Sequence, residues 1–474
     1  MLTIPYSSLS TKTTTCFKVY DSLTTNLTSL VSTNGKDYKG TINWLSPPIY
    51  ILSKKDYIYI SYDLSDLVSY LGTGRNDISK YSKTKVINFL KTDANLANQA
   101  LYNEIITVPP GSEISINPHG EIKFNPHSIE ERYYPSLNAS DIENILINEL
   151  KYSFEKYKDK KIAFALSGGV DSTLLVALAK AHCLYEEIIC YTAYTGKGND
   201  LHYAKLAAKQ LGVQLNIVTI PYDDDALAEQ IKLSKASSTP ISFTGNSIGF
   251  SKICDRAIVD GFDVIIDGTA SDQIFAGTYK THGVQWYHDA LKHNMHSEAK
   301  HFKSRALKEN LINEKTFNNV LGKKSCSLSA YLYFQITQGA LQTWLLQHRA
   351  SAKANSIHII TPFLNKEVAQ YIWSPLEGFY QKGINKFVLR TILAKYVSKE
   401  IAWRVDNQGL RWRPSTFYKK NLKSIKYLIK KHSHHLSQLL SPYQVFRAIF
   451  GLESKSKIIK IYALAVLLEN EQSL

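Results

Sequence analysis

The sequence has no paired cysteines. Its five, Cys16, Cys183, Cys190, Cys254 and Cys326, are odd in number and scattered, with no Cys-X-X-Cys spacing. That excludes a disulfide framework and a zinc knuckle, and it points to reduced thiols in the cytoplasm. No run of about 20 apolar residues occurs, so no membrane span is expected. The opening stretch, Met1-Leu-Thr-Ile-Pro-Tyr-Ser-Ser, lacks the charged-then-apolar order of a secretory signal. No internal repeat or low-complexity tract stands out. Acidic residues are also short in supply, 41 against 56 Lys and Arg, leaving a formal charge of +15. Much of the excess lies late, at Lys419, Lys420, Lys423, Lys426, Lys430 and Lys431, then Lys455, Lys457 and Lys460. A basic surface can bind nucleic acid, attract an acidic peptide or simply solvate a helix. No aromatic-basic RNA module interleaves with these lysines, so nucleic acid is not the expected partner.

What is present is ordinary for a globular protein: 474 residues, 44% apolar and 20% charged, enough for two or three domains. Residues 1 to about 135 read as β-rich. Pro48-Ile-Tyr-Ile-Leu-Ser and Asp56-Tyr-Ile-Tyr-Ile-Ser-Tyr form a hairpin pattern around Lys54-Lys55-Asp56, and a short helix with a glycine stop follows from Asp63 to Gly72. Ile105 to Ile116 reads as strand, turn, strand, and the Asn117-Pro-His-Gly120 turn leads into Glu121-Ile-Lys-Phe. A helix over about 140–157 then opens an alternation of strands (161–165, 188–194, 214–220, 263–267) and helices (202–212, 250–261). That order predicts a doubly wound, parallel α/β sheet. After about 285 the chain reads as mainly helical.

The most informative segment is Leu166-Ser-Gly-Gly-Val-Asp-Ser172, between the apolar run Lys161-Ile-Ala-Phe-Ala and the helix-like Thr173-Leu-Leu-Val-Ala-Leu-Ala-Lys180. Glycines let the backbone approach an anion, and a helix N-terminus favours negative charge there. Asp171 does not suit a bare anion cradle, but it suits a Mg²⁺ that travels with a polyphosphate. A plain polar strand-to-helix turn is the bland alternative. The kinase-type P-loop is excluded, because no Gly-Lys-Ser/Thr follows. The full string resembles the loop of ATP pyrophosphatases, which cleave ATP to AMP and pyrophosphate. A second turn, Asp267-Gly-Thr-Ala-Ser-Asp-Gln-Ile-Phe-Ala-Gly-Thr-Tyr279, leaves another buried strand. Ligands of doubly wound sheets bind at the carboxyl ends of strands, so the two turns are expected to face each other.

Together with Pro362-Phe-Leu-Asn, Lys386-Phe-Val-Leu-Arg390 and Ile401-Ala-Trp-Arg-Val-Asp-Asn-Gln-Gly409, these strings resemble the asparagine synthetase family. Upstream, Glu104-Ile-Ile-Thr-Val-Pro-Pro-Gly-Ser and Tyr133-Tyr134 resemble the end of that family's glutaminase domain. The resemblance implies an adenine nucleotide alpha hydrolase-like ATP pyrophosphatase domain with a helical C-terminal region over 136–474. Before it, over 1–135, would stand a degenerate, shortened glutaminase-like (Ntn-type) domain. It implies that Leu166, Ser167, Gly168, Gly169, Asp171, Ser172, Gly268 and Ser271 hold ATP, and that Asp171 and Asp272 hold Mg²⁺. Lys386, supported by Arg390, would act on the pyrophosphate or on charge developing during amide formation. Thr269 would stand at the substrate side.

The departures from the family are as instructive. A glutaminase of this type needs an N-terminal cysteine, but Met1-Leu2 stands here, so glutamine hydrolysis is not expected. Thr269-Ala270 replaces the family's Glu (or the Tyr of β-lactam synthetases), Gln273 replaces an acid, and Ile357-His358-Ile-Ile-Thr361 lacks a Glu-X-Arg. This pattern most resembles the lasso-peptide cyclases, which join a peptide's N-terminal amine to an Asp or Glu side chain. Tyr279-Lys-Thr-His-Gly283 suits that branch. The implied substrate is a peptide or small amino-acid carboxylate, and a precursor-peptide protease is an implied partner. His358 is a candidate base for the amine, with a packed loop histidine as the alternative. Ammonia-using and β-lactam-type ligases, a nucleic-acid-modifying enzyme and a non-catalytic binding protein remain the other readings.

Overall fold

Residues alternate between two cores along each strand of the central sheet, and this decides the architecture. Ile162 and Phe164 enter one apolar cluster while Ala163 between them enters another; Val264 and Ile266 likewise flank Ile265. A strand buried on both faces needs helices on both, which is the doubly wound arrangement the sequence predicts. The computed structural model describes residues 1–5, 15–20, 27–32, 37–54, 57–71, 77–91, 99–117, 119–126, 137–182, 187–241, 245–309, 311, 326–405, 409–410 and 412–472. Lys55, Asp56, Gly72, Pro118, Tyr133, Tyr134, Cys183 and residues 406–408, all used in the sequence reading, lie outside them.

The N-terminal part contains β1 (Leu2–Pro5), β2 (Thr15–Tyr20), β3 (Leu27–Ser32), β4 (Tyr38–Thr41), β5 (Ile49–Lys54), β6 (Tyr57–Ser61), β7 (Ile105–Val108), β8 (Ser112–Ile116) and β9 (Ile122–Pro126). They form two antiparallel sheets, ordered β1-β6-β5-β7 and β2-β3-β4-β8-β9. Ile4, Ile51 and Ile60 of one share an apolar cluster with Tyr38, Ile114 and Ile116 of the other. The expected hairpin is present, with Lys54 opposite Tyr57. The expected strand, turn and strand at 105–116 are present as β7 and β8, which belong to different sheets. The corner between them turns at Gly111, whose φ of +75° favours glycine.

The central sheet is parallel: β10 (Ile162–Ala165), β11 (Ile189–Tyr194), β12 (Gln214–Thr219), β13 (Val264–Ile266) and β14 (His358–Ile360), in the order β12-β11-β10-β13-β14. The helix Ala139–Lys156 leads into it, opened by a capping box between Asn138 and Asp141. Helix Asp200–Leu211 ends on the predicted glycine, Gly212, at φ +62°. Helix Gly245–Val259 begins five residues before the expected Phe250. The edge strand β14 lies within the stretch read as mainly helical. Three residues of strand inside helical surroundings give too short a pattern to stand out. A further cluster joins Tyr50, Tyr102 and Ile105 to Ile425, Ile461 and Leu464 near the end of the chain.

Candidate nucleotide and acyl-transfer site

The first turn leaves β10 with Leu166 N–H donating to the Tyr191 carbonyl (2.8 Å). Ser167 N–H donates to Ser172 Oγ (3.1 Å), and the two hydroxyl oxygens lie 3.0 Å apart. Gly168 takes φ +77°. A Cβ there would stand 2.9 Å from the Asp200 carbonyl oxygen and collide with Ala204 N, so backbone shape and space both require glycine. The turn is held from outside by Arg404. Its guanidinium donates to the Gly168 carbonyl (3.2 Å), pairs with Asp200 and lies 3.9 Å over the Tyr203 ring. Beyond the turn, the helix Val170–Ala181 presents its N-terminal amides beside Asp171.

The second turn presses against the first. A Cβ on Gly268 would sit 2.9 Å from Asp171 Cβ and 3.1 Å from Ser172 N. Ser271 Oγ donates to Asp171 Oδ1 (2.6 Å). Lys386 Nζ then joins both turns, donating to Asp171 Oδ1 (2.8 Å) and Oδ2 (2.6 Å) and standing 2.6 Å from Asp272 Oδ1. The lysine side chain is 6% exposed, and Asp272 is 52% exposed. Burial pulls the Lys386 ammonium down, but the charges of Asp171 and Asp272 outweigh it and hold its pKa above the ordinary value. The Lys386 charge beside it holds the Asp272 carboxyl below its usual range. Gly277 keeps the space open, since a side chain there would strike both Asp272 and Lys386.

Lys386 adopts a left-handed backbone (φ +51°), a strained choice for a residue with a side chain. Its surroundings impose it. Arg390 donates to the Asn385 carbonyl (2.7 Å), Asn385 Oδ1 (2.9 Å) and the Ala402 (3.1 Å) and Arg404 carbonyls. Asn385 in turn donates to the Gly277 carbonyl. Arg390 therefore spends its donors on protein and positions Lys386 from behind. His358 is not brought to the site. It is exposed, opposite Val264 at the amino end of the parallel strands, with the Tyr157 ring 5.4 Å away. The candidate base of the sequence reading is thus corrected: parallel register places the first residue of β14 at the far end of the sheet from Asp267.

The two turns open into a cavity of about 330 Å³ lined by Ser167, Asp171, Gly268, Thr269 and Asp272 on one side and by Phe250, Trp344, Gln347 and His348 on another. That volume lies at the lower end of small-molecule sites. Asp171 and Asp272 turn carboxylate oxygens to the position that Lys386 Nζ occupies, and hard oxygen donors of this kind suit Mg²⁺ only where substrate phosphates and waters complete its shell. No group of three or more His, Cys, Asp or Glu able to hold a metal occurs among the described residues.

Residues 155–460 match the asparagine synthase family. The chain belongs to that family. Among curated proteins, the candidate asparagine synthetase (glutamine-hydrolyzing) 1 of Methanocaldococcus jannaschii is 32% identical over 119 residues, covering 25% of this chain and 21% of that protein. The match thus spans about a fifth of that relative's length. Solved structures include an NH3-dependent NAD synthetase of Campylobacter jejuni (TM-score 0.23, 19% identity, 30% of this chain and 61% of that one). A glutamine-dependent NAD+ synthetase of Acinetobacter baumannii has TM-score 0.24 and 16% identity over 37% of this chain and 32% of that one.

In this asparagine synthase family member, the side of the cavity around Thr269 has its own hydrogen-bond set. Thr269 donates from N–H (3.2 Å) and Oγ1 (2.8 Å) to Asp267, which also lies 3.4 Å from His348 Nε2. Burial lowers the His348 pKa despite Asp267, so its ring is neutral near pH 7. His348 Nδ1 and Gln347 Oε1 are buried without a partner. His282 is buried behind Asp272, and burial lowers its pKa to about 4. Sequence reasoning missed Asp267, His348, Gln347, Asn385 and Arg404 as site residues. Asp267 carried one usable signal, its place at the carboxyl end of a buried strand. His348 carried none, since its partners lie about 80 residues upstream.

Proposed function

We propose that this chain is an AMP-forming amide ligase. A substrate carboxylate attacks the α-phosphorus of ATP and pyrophosphate leaves. An amine then attacks the activated acyl carbon, and AMP departs with the former carboxylate oxygen. The observation that carries the reading is Lys386 held between Asp171 and Asp272, which line one cavity with Ser167 and Ser172. Its charge lies where negative charge would develop, and its surroundings fix it in place before any substrate arrives. The amides of Ser167 to Gly169 and the Ser172 hydroxyl would hold phosphate oxygens. Mg²⁺ bound by Asp171 and Asp272 would supply charge neutralisation for the leaving pyrophosphate.

For the acceptor we favour a peptide whose amine closes on an Asp or Glu side chain, giving a macrolactam. In support, Thr269 and Gln273 stand where family members carry acids or tyrosine, and the acyl side is aromatic. The N-terminal β-sheets would be a remnant glutaminase-like domain, and the work would be done by 136–474. Pyrophosphate release with candidate precursor peptides, and separately with aspartate plus ammonia, tests the reading. Peptide-dependent release, with a product lighter by one water, is expected. Turnover on aspartate and ammonia alone would overturn the peptide assignment and keep the ligase.

A further inference from the structure

The late lysines have no part in the site, and the structure sets them beside something the sequence reading did not see. Helix Pro442–Phe450 buries Val445 and Ala448 but turns Tyr443, Phe446 and Phe450 outward, at spacings of three and four residues that share one face. Phe446 is 50% exposed, Phe450 60% and Leu452, in the following turn, 56%. The two phenyl rings lie 4.5 Å apart and so form one continuous apolar ridge. Helix Leu422–Lys431 packs alongside with Ile425 and Ile429 buried. A Cβ on Gly451 would lie 3.9 Å from Lys426 Nζ, which places that ammonium at the end of the ridge. Lys423, Tyr427 and Lys430 occupy the exposed side of the same helix. Between residues 412 and 460 there are eleven Lys or Arg and a single acid, Glu453, already paired with Arg447 (3.1 Å) and Lys457 (3.2 Å).

We propose that this face docks on an anionic lipid bilayer, with Phe446, Phe450 and Leu452 entering the headgroup boundary and the flanking lysines meeting lipid phosphates and carboxylates. Apolar tips beside a one-signed basic surface are the combination such an interface takes. Nucleic acid would use the lysines and leave an aliphatic Leu452 and mutually packed phenyl rings without a role. Docking of this kind is peripheral, consistent with no helix among the described residues being long and apolar enough to cross a membrane.

The test is sedimentation of the full chain with phosphatidylcholine vesicles, with and without phosphatidylserine. Association is expected only with phosphatidylserine and should weaken as salt rises. Phe446→Ser with Phe450→Ser should lower partitioning about tenfold per ring. Lys423→Gln, Lys426→Gln and Lys430→Gln should lower it about fivefold each. Phe446, Phe450, Lys423 and Lys430 are exposed and Lys426 is half-buried, so unchanged thermal melts are expected and would tie any loss to the surface. Three results overturn the proposal: no association of the native chain at low salt; association that neither variant set weakens; or a native dimer that the phenylalanine pair converts to monomer, which would make the ridge a self-interface. Retention of single-stranded RNA by the same lysines, without vesicle binding, overturns it as well.

Discussion

Asp171, Asp272 and Lys386 stand 101 to 215 residues apart in sequence yet share one hydrogen-bonded position. Two of the three were legible as chemistry because each carboxylate opens a helix after a buried strand. The lysine was legible only through family resemblance; nothing local to it marks an ammonium facing two acids. Replacing Lys386 by Met should lower pyrophosphate release by about 10²–10³ at saturating ATP, the scale of losing one preorganised charge. Lys386→Arg should not restore it, because a planar fork does not fit the point where a compact ammonium sits. Steady-state kinetics checks both, and an unimpaired Met variant would remove Lys386 from the chemistry. His282 makes a second residue-level prediction. Its folded pKa of about 4 lies below the ordinary 6.5, so the unfolded chain takes up the proton first. The stability involved is present above pH 6.5 and is lost as pH falls towards 4, on the order of 3 kcal/mol. Urea midpoints across that window should drop less for His282→Gln than for the native chain; parallel curves would refute the assignment.

At the scale of elements, the two turns work because neither is free to move. Gly168 sits under the N-terminus of helix Asp200–Leu211, and Gly268 lies against Asp171. Strand, turn and helix were readable here because apolar period, glycine and cap residues agree over some twenty residues. The strands on either side of the β7–β8 corner were readable too, but which sheet each joins was not, because a strand's own residues do not encode its partner. Gly168→Ala and Gly212→Ala form a paired prediction, since both glycines have positive φ but only Gly168 has backbone atoms in the way. Gly212→Ala should cost about 1 kcal/mol and leave pyrophosphate release intact. Gly168→Ala should cost more, about 3 kcal/mol, and abolish release. Denaturation midpoints and turnover on the two variants decide it, and equal behaviour of the pair would show that packing against Ala204 does not matter.

At the scale of the whole molecule, the N-terminal β-rich part is bound to the far end of the chain. Glu471 pairs with Lys80, both side chains being less than a tenth exposed, and accepts from Tyr102 Oη (2.6 Å). Removing the carboxylate would leave a buried ammonium uncompensated, so Glu471→Ala should destabilise the chain by about 3–5 kcal/mol. A urea titration following fluorescence measures that loss, and a change below 1 kcal/mol would mean the pair is not buried in solution. The sequence by itself determined the doubly wound sheet, the two facing turns and the acidic pair, because each is written in contiguous residues whose period and geometry are local. Only the tertiary structure decided that Arg390 serves Lys386 rather than a ligand, that His358 lies at the wrong end of its sheet, and that Asp267 meets His348. It alone decided that Phe446 and Phe450 stay exposed, with Lys426 at the end of their ridge. Those outcomes depend on which distant elements pack together and in what register, and no local pattern of residues encodes that.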